Sequence, residues 1–207
     1  MTSFGVVARV RRLLTQQAGR RIKVGHCGTL DPFATGLLIL VTGKKTKLAN
    51  SYAKKDKEYI ATLELGATSN TGDPEGDIIR QDILLPPTEQ QIKEAVDSFV
   101  GSISQTPPKF SAIKVRGQRA YKLARAGQDF SLKPREVNIY SIEILKYKYP
   151  LLTIKTRVSS GTYIRTLGED IGRKLGTGAY LVELRRTKIA DYSVDDAEQL
   201  DNRGEIW

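Results

Sequence analysis

The 207-residue sequence has very few of the side chains that build redox and metal sites, with one cysteine, Cys27, and one histidine, His26. One cysteine excludes an internal disulfide, and a structural zinc site needs about four ligands drawn mostly from these two residue types. Apolar runs are short, since the longest, from Leu37 to Val41, falls far below the roughly 20 residues of a membrane helix. No signal segment opens the chain. We therefore expect a cytoplasmic protein with no metal and no membrane contact.

Signatures of nucleotide and hydrolase chemistry are missing as well. The stretch Gly43-Lys44-Lys45-Thr46 lacks the leading glycine of a phosphate-binding loop, and there is no dinucleotide-binding fingerprint. A serine hydrolase would need a Gly-x-Ser-x-Gly turn, which the sequence does not contain. A thiol-imidazole pair from His26 and Cys27 is disfavoured because side chains of adjacent residues generally point apart.

Positive charge is what the sequence has in excess. Lys and Arg number 33 against 23 Asp and Glu, a net charge of +10, with a pI near 9.7. Such a surface attracts polyanions, and nucleic acid is the first partner to consider. One segment interleaves basic and aromatic side chains, a pattern that suits RNA. Its members are Lys109, Phe110, Lys114, Arg116, Arg119, Tyr121, Lys122 and Arg125.

The hydrophobic pattern predicts helices and strands in one α+β domain that spans residues 1–207. Adjacent strands joined by short turns indicate a mixed, mostly antiparallel central sheet flanked by helices. A flexible insert is expected near residues 105 to 130. The predicted helices are 4 to 16 (capped by Thr2-Ser3), 44 to 53, one capped by Thr88, 164 to 175 and a short one from 195; the predicted strands are 37 to 41, 58 to 65, 137 to 147, 151 to 158 and 181 to 189.

Two turn-rich stretches carry carboxylates. Between Gly25 and Gly36, Asp31 lies in a loop that follows a basic segment, where the surface would bring a polyanion. An Asp before Pro is also a common turn former, so the residues alone leave both interpretations open. The second stretch holds Asp73 and Asp77 but lacks the ligand spacing and closing Glu of a calcium loop.

The loop Gly25 to Leu38, GHCGTLDPFATGLL, resembles the active-site signature of the TruB family of pseudouridine synthases. Further segments are similar to other motifs of the family, in the same order over essentially the whole chain. The resemblance implies the pseudouridine synthase fold, isomerisation of the uridine at position 55 in the T loop of tRNA, and no cofactor. The further matching segments are Asp56 to Tyr59, Ser111 to Lys114, Ser160 to Thr166 and Leu184 to Thr187.

By this resemblance Asp31 is the catalytic carboxylate. It would attack the sugar, attack the base or remove a sugar proton, and the sequence does not choose among these routes. Arg165 would pair with Asp31 and keep it charged despite burial. A phosphate contact or a structural ion pair is the alternative role for Arg165.

The resemblance also implies a pocket for a base flipped out of the RNA stack. Tyr59 would stack on the target base, Tyr163 would line the pocket and Leu184 would supply an apolar wall. His26 would fill the gap that the base leaves, and a loop histidine hydrogen-bonded to the backbone is its alternative role. For both tyrosines, ordinary core packing is the alternative.

The resemblance further implies that the basic segment binds the T arm of tRNA. No obligatory protein partner is implied, and we expect a monomer. The family usually has a Lys-Pro-x-Gly element before Thr2-Ser3, and most bacterial relatives continue into a PUA-type RNA-binding domain, so weaker tRNA affinity than that of a longer relative is expected. The RNA-binding residues are Lys109, Lys114, Arg116, Arg119, Tyr121 and Arg125.

Two other functions fit the same charge pattern. A noncatalytic tRNA-binding or RNA-folding module would use the basic surface but would not need Asp31. A guide-RNA-dependent relative from archaea or eukaryotes shares the Asp loop, but the T-arm-type insert favours the stand-alone bacterial form.

Overall fold

The computed structural model describes residues 1–200, which form an α+β fold. Two 3-10 helices, Gly43–Leu48 and Val194–Asp196, add to the main elements. In chain order the main elements are α1 (Ser3–Ala18), β1 (Val24–His26), β2 (Thr35–Gly36), β3 (Leu40–Thr42), α2 (Ala49–Ala53), β4 (Lys57–Leu65), β5 (Ala67–Ser69), β6 (Ile78–Arg80), α3 (Glu89–Asp97), β7 (Gly101–Gln105), β8 (Lys114–Val115), β9 (Gln118–Arg119), α4 (Ala120–Arg125), β10 (Arg135–Lys148), β11 (Leu151–Val158), α5 (Ile164–Lys174), β12 (Ala179–Ile189) and β13 (Tyr192–Ser193).

The central sheet is mixed and mostly antiparallel, as the sequence predicted. Six strands follow the order β13-β12-β4-β11-β10-β7, and β2 adds a short parallel pairing with β12. The longest hairpin joins β10 and β11, the strands predicted at 137 to 147 and 151 to 158, through a turn at Tyr149-Pro150. Three two-stranded sheets, β1 with β3, β5 with β6 and β8 with β9, complete the strand pairings of residues 1–200.

Local sequence signals explain where the helices begin. The Thr2 hydroxyl accepts a hydrogen bond from the Gly5 N–H at 3.1 Å, so the predicted cap of α1 is confirmed. Thr88 and Gln91 form a reciprocal capping box at the start of α3. No helix in the described part of the chain is long and apolar enough to cross a bilayer.

Three predicted elements differ from those observed. Of the apolar run 37 to 41, only Leu40 and Val41 lie in a strand, because the Leu37 N–H donates to the Arg186 carbonyl at 2.8 Å in a separate bridge. The helix predicted over 44 to 53 is a 3-10 helix followed by the single turn of α2. Near Asp195 the chain makes one 3-10 turn only.

The chain divides into two compact units. One contains Met1–Tyr59 and the chain from Leu184 onward, and the other contains Ile60–Glu183. Both boundaries fall inside strands, between residues 59 and 60 of β4 and between residues 183 and 184 of β12. Because each boundary lies within a strand, no Pro- or Gly-rich linker marks it in the sequence.

Helix α5 lies very close to the strands of the second unit because two glycines face them. A Cβ on Gly168 would stand 2.3 Å from a Leu63 methyl carbon, and a Cβ on Gly172 would stand 2.3 Å from the Ala179 nitrogen. Both distances are far below van der Waals contact, so only glycine allows this approach. The start of the helix, which carries Arg165, is thereby fixed against the sheet.

Candidate active site

The Asp31 loop connects β1 to β2 in the first unit and is anchored on both sides. Ser3, buried in the first turn of α1, accepts a hydrogen bond from the Leu30 N–H at 2.8 Å, and its hydroxyl donates to the Leu30 carbonyl at 3.2 Å. The Asp31 carbonyl accepts from the Ala34 N–H at 3.0 Å, which closes the turn. The residue that carries the carboxylate is therefore held by its own backbone and by its neighbour.

Arg186 fixes the same loop from β12. Its side chain is 1% exposed, and the guanidinium donates to the carbonyl oxygens of Leu37 (2.8 Å), Gly28 (3.2 Å) and Thr29 (3.4 Å). The planar fork of arginine can reach several acceptors at once, which lysine cannot do. Gly36 lies against the strand so closely that a Cβ would stand 2.3 Å from the Arg186 carbonyl oxygen. Arg186 thus defines the conformation of the loop around Asp31.

Tyr59 is buried beside these charges. Burial raises the pKa of its phenol and the charge of Asp31 raises it further, while Arg186 opposes the shift through its charge and a hydrogen bond. Two residues earlier, burial and then the charge of Arg186 lower the pKa of Lys57 to about 8. The Lys57 ammonium donates to the carbonyls of Ala53 and Lys55 and ties the end of α2 to β4. Tyr59, Arg186 and Asp31 therefore interact within one unit.

His26 and Leu184 also belong to the first unit. His26 is half-buried; burial lowers the pKa of its imidazole, the Gly28 carbonyl opposes this, and the charge of Arg186 lowers the pKa further. The ring is therefore neutral at neutral pH. Leu184 is buried on β12, two residues before Arg186 and on the same face of the strand.

Arg165 lies in the second unit, on the first turn of α5, and is buried. Its guanidinium donates to the carbonyls of Thr71 (2.8 Å) and Phe110 (2.9 Å) and forms an ion pair with Asp73 at 3.3 Å. The Asp73 carboxylate accepts from the Thr71 hydroxyl at 2.6 Å and from the Glu75 N–H at 3.0 Å. The turn-rich stretch that holds Asp73 and Asp77 therefore presents the Asp73 carboxylate to an arginine. In residues 1–200 no group of three or more His, Cys, Asp or Glu is arranged to hold a metal ion.

Tyr163, the N-cap residue of α5, is held by a buried glutamine. The Gln105 side-chain amide accepts from the Tyr163 N–H at 2.8 Å and donates to the Tyr163 carbonyl at 3.0 Å. The guanidinium carbon of Arg135 lies 5.0 Å from the centre of the Tyr163 ring, within cation-π range. Gln105 and Arg135 thus set the backbone and the ring of a predicted pocket residue.

The predicted RNA-binding residues are all exposed, on and around the β8–β9 hairpin and α4. Arg116 occupies the tip of the hairpin with φ +49°, Arg125 lies 6.0 Å from the Tyr121 ring, and Lys109 pairs with Asp129 at 3.2 Å. Because Phe110 accepts from Arg165, the start of this segment is tied to the base of α5. Lys114 and Arg119 pair across the hairpin.

The structure thus places Asp31, His26, Tyr59 and Leu184 in one unit, and Tyr163, Arg165 and the basic segment in the other. The pairing of Arg165 with Asp31 stays a prediction. Sequence reasoning missed three residues that organise these groups: Arg186, Asp73 and Gln105. Strand alternation from Leu184 would have placed Arg186 inside, and alternation from Ile103 would have placed Gln105 inside.

Two family models match the chain. One, described as the N-terminal domain of the TruB family pseudouridylate synthases, covers residues 11–164, and the other, described as the C-terminal domain of tRNA pseudouridylate synthase B, covers residues 165–203. The chain is 46% identical over 199 residues to tRNA pseudouridine synthase B of Phocaeicola vulgatus, covering 94% of this chain and 83% of that protein. It is 42% identical over 205 residues to the protein of that name from Clostridium tetani, covering 99% and 69%.

Solved structures with the same fold are larger assemblies. A chain in the crystal structure of a Cbf5-Nop10-Gar1 complex matches with a TM-score of 0.68 at 31% identity, covering 93% of this chain and 47% of that one. An H/ACA RNP bound to a substrate RNA containing 2'-deoxyuridine matches with a TM-score of 0.65 at 30% identity, covering 93% and 45%. This chain therefore spans about half the length of these solved relatives.

Proposed function

The chain belongs to the TruB family of tRNA pseudouridine synthases, and on this premise we propose that it isomerises the uridine at position 55 of the T loop, with Asp31 as the catalytic carboxylate. The observation that carries the proposal is the clamped loop around Asp31. Ser3 on one side and Arg186 on the other hold the backbone on both sides of this residue. A fixed carboxylate next to a buried tyrosine is the arrangement that a reacting nucleotide requires.

The reaction breaks the bond from C1′ to N1 and forms a bond from C1′ to C5 of the same uracil. The C5 hydrogen leaves as a proton and N1 gains one, so no oxidant, reductant or cofactor is consumed. A carboxylate serves each of the three possible first steps: attack on C1′, attack on the base, or removal of a sugar proton. Arg165 would stabilise the ionised form of Asp31 while Asp73 and two carbonyls hold the arginine in place.

The pocket residues would act on a flipped nucleotide. Tyr59, buried and within the electrostatic influence of Asp31, would stack on the target base, with Tyr163 and Leu184 lining the pocket. The neutral ring of His26 would replace the lost stacking in the RNA without adding a charge. Extrusion of a base costs a few kcal/mol, and these contacts would offset it.

The exposed basic segment from Lys109 to Arg125 would hold the T arm through its phosphates, which fixes position without reading sequence. We propose that the chain acts as a monomer in the cytoplasm, with tRNA as its one required partner. The identity of 41 to 46% to proteins named tRNA pseudouridine synthase B supports the stand-alone form over the guide-RNA-dependent one.

The test is site mapping on paired substrates. A tRNA transcript with uridine at position 55 and one with cytidine there are incubated with the protein, and pseudouridine is mapped by carbodiimide modification and primer extension. We expect one new stop in the first transcript, one nucleotide 3′ of position 55, and none in the second. Pseudouridine at another uridine would overturn the assigned position. Binding without modification of either transcript would favour the noncatalytic module.

A further inference from the structure

Lys57, the first residue of β4, buries its ammonium two residues before Tyr59. The residue is 8% exposed, and the ammonium donates to the carbonyl oxygens of Ala53 at 2.5 Å and Lys55 at 2.6 Å. Both acceptors are backbone groups at the end of α2 and in the turn that follows it. A lysine that is buried and bonded in this way does not offer its charge to the phosphates of an RNA.

The environment of this ammonium is unfavourable for a charge. Removing an ammonium from water costs free energy, and Arg186 on the neighbouring strand β12 adds a like charge. Burial and Arg186 lower the pKa of Lys57 to about 8, although the carboxylate of Asp56 acts in the opposite direction. An apolar side chain would fill the same space without this cost. The two carbonyls that the ammonium binds therefore indicate why a lysine occupies the position.

The ammonium closes the turn that leads into β4. Ala53 is the last residue of α2, and the last carbonyls of a helix have no partner within the helix. A lysine near the end of a helix can supply the missing donor. Because Lys57 also binds the Lys55 carbonyl, one side chain fixes both ends of this short turn relative to the strand.

Contacts from β12 and the residues after it hold the same segment from the other side. The Asp56 carbonyl accepts from the Ala190 N–H at 2.9 Å, and the Glu58 carboxylate accepts from the Thr187 hydroxyl at 2.8 Å. Lys57 lies between these two contacts in the sequence. Residues 53 to 58 therefore form a continuous support for the beginning of β4.

Tyr59 is the next residue on the same face of the strand as Lys57. Side chains alternate along a strand, and both residues are buried while Glu58 between them is not. Arg186 acts on both, since it lowers the pKa of Lys57 and forms a hydrogen bond with the Tyr59 phenol. A shift at the beginning of β4 would therefore move the Tyr59 ring relative to the Asp31 loop, which Arg186 fixes within the same unit.

We propose that Lys57 is a positioning residue for Tyr59, because its ammonium binds the carbonyls of Ala53 and Lys55 and so sets where the tyrosine ring meets the flipped base. The proposal rests on the proposed function for the role of Tyr59. Lys57 would act through the backbone of β4 and would touch no part of the tRNA. It would therefore contribute to turnover and not to binding.

The protonated form of Lys57 is the one that fixes the turn. Hydrogen bonds from a charged donor are about twice as strong as those between neutral groups, so the contact weakens as the pH rises through about 8. Four groups surround the ammonium: the Ala53 carbonyl from α2, Asp56 from the turn, Arg186 from β12 and the Tyr59 phenol on the same face of β4.

The same titration has the opposite effect on stability. The unfolded chain keeps the Lys57 proton up to the ordinary pKa of 10.5, whereas the folded protein loses it near 8. Stability rises with pH wherever the unfolded state binds more protons, so the loss of this proton favours the folded state. A fall in kcat as the pH passes 8 therefore does not come from unfolding through Lys57.

The experiment uses a matched pair of methionine variants and one variant that keeps the charge. Lys57→Met removes the buried ammonium, and Lys55→Met changes an exposed lysine of the same turn but leaves its carbonyl in place. Lys57→Arg stays protonated throughout. We would measure kcat and KM for tRNA by release of C5 tritium from about pH 7 to 9, with thermal melting at each pH. The ring signals of Tyr59 are followed by NMR without tRNA.

We expect kcat of Lys57→Met to fall about tenfold or more, with KM within about twofold, because small displacements of a pocket residue reduce rates strongly. Lys55→Met should keep the kcat of the parent. The kcat of the parent should fall as the pH rises through about 8. Lys57→Met has no ammonium to lose and should show no such fall, and in Lys57→Arg the fall should move to higher pH.

Unchanged kcat in Lys57→Met, or a KM that changes as much as kcat, would overturn the proposal. So would the same alkaline fall in Lys57→Arg as in the parent. Both proteins act on the same tRNA, so this comparison cancels the ionisation of the RNA and decides the question even if Lys57→Met does not fold.

The NMR signal separates this proposal from the proposed function. If the parent modifies no tRNA, the proposed function fails, but the position of the Tyr59 ring can still be compared among the variants. A shifted Tyr59 signal in Lys57→Met and not in Lys55→Met would support positioning by Lys57. Identical Tyr59 signals in the parent and Lys57→Met would overturn it.

Discussion

The side-chain amide of Gln105 holds both backbone groups of Tyr163, accepting from its N–H at 2.8 Å and donating to its carbonyl at 3.0 Å. Tyr163 begins the helix whose first turn contains Arg165, so one buried amide links strand β7 to two proposed pocket residues. A paired amide contact of this kind fixes position in a way that an apolar residue of the same size does not.

Gln105→Ala should therefore impair turnover more than binding. The variant removes the partner of the Tyr163 N–H and leaves its carbonyl with the Leu167 N–H alone, at a cost of about 1 to 3 kcal/mol in unfolding free energy. Because small displacements of pocket residues reduce rates strongly, we expect kcat to fall about tenfold or more while KM for tRNA stays within about twofold. Steady-state kinetics check this, with exposed Gln90→Ala as the matched control. An equal change in both parameters would contradict a positioning role.

Asp73→Asn should leave the buried guanidinium of Arg165 without its carboxylate partner. Both side chains are buried, and removing one partner of a buried ion pair typically costs about 3 to 5 kcal/mol. Asp77→Asn is the control, since it makes the same change in an exposed residue of the same turn. We predict lower urea stability and a large loss of kcat for Asp73→Asn only. Unchanged kcat would show that the Arg165–Asp73 pair does not serve the reaction.

Arg186→Met should loosen the Asp31 loop. Methionine fills a similar length but donates nothing, so the carbonyls of Gly28, Thr29 and Leu37 lose their shared donor, at about 1 to 3 kcal/mol for each buried group left unpaired. The neighbouring Arg185 is exposed, and Arg185→Met changes the same residue type one position away. Hydrogen exchange of residues 28–37 should accelerate in Arg186→Met and not in the control. Equal protection in the two variants would show that Arg186 does not hold the loop.

The single histidine offers a direct pH measurement. Burial, with the charge of Arg186, lowers the pKa of His26 below its ordinary 6.5, so the folded state binds this proton less readily than the unfolded chain. Folding stability that His26 contributes is therefore present above pH 6.5 and lost as the pH falls through the lowered pKa. An NMR titration of the untagged protein should show one imidazole titrating below 6.5. A midpoint at or above 6.5 would contradict a desolvated ring.

Much of the fold follows from local pattern. The alternation around Tyr59 predicted β4, and the apolar spacing from Ile164 to Leu175 predicted α5, because a half-buried element must repeat its apolar residues with its own geometric period. Thr2 and Thr88 marked helix starts for the same local reason. Only Leu40 and Val41 of the run 37 to 41 form a strand, because Leu37 bonds to the distant Arg186, which local sequence does not reveal.

The candidate site was only partly visible in the sequence. The Asp31 loop could be found as a loop with one carboxylate. Asp73 was visible only as part of a turn-rich stretch without metal-ligand spacing, because its partner, Arg165, is far along the chain. Arg185 and Arg186 have the same side chain but lie on opposite sides of β12. Arg185 is therefore exposed to solvent, and Arg186 is buried where it holds the loop. Long-range pairing of this kind depends on the assembled fold.

The most direct test of Asp31 as the catalytic carboxylate is tritium release from tRNA transcribed with 5-tritiated uridine, in a single turnover, by the parent and by Asp31→Asn. Forming the bond to C5 must expel that hydrogen, so the signal reports the isomerisation itself. We predict release by the parent and none above background by Asp31→Asn. The tRNA affinity of the two proteins should agree within about twofold, since one uncharged isostere leaves the phosphate contacts intact. Release by Asp31→Asn at the rate of the parent would contradict the assignment of Asp31 as the catalytic carboxylate.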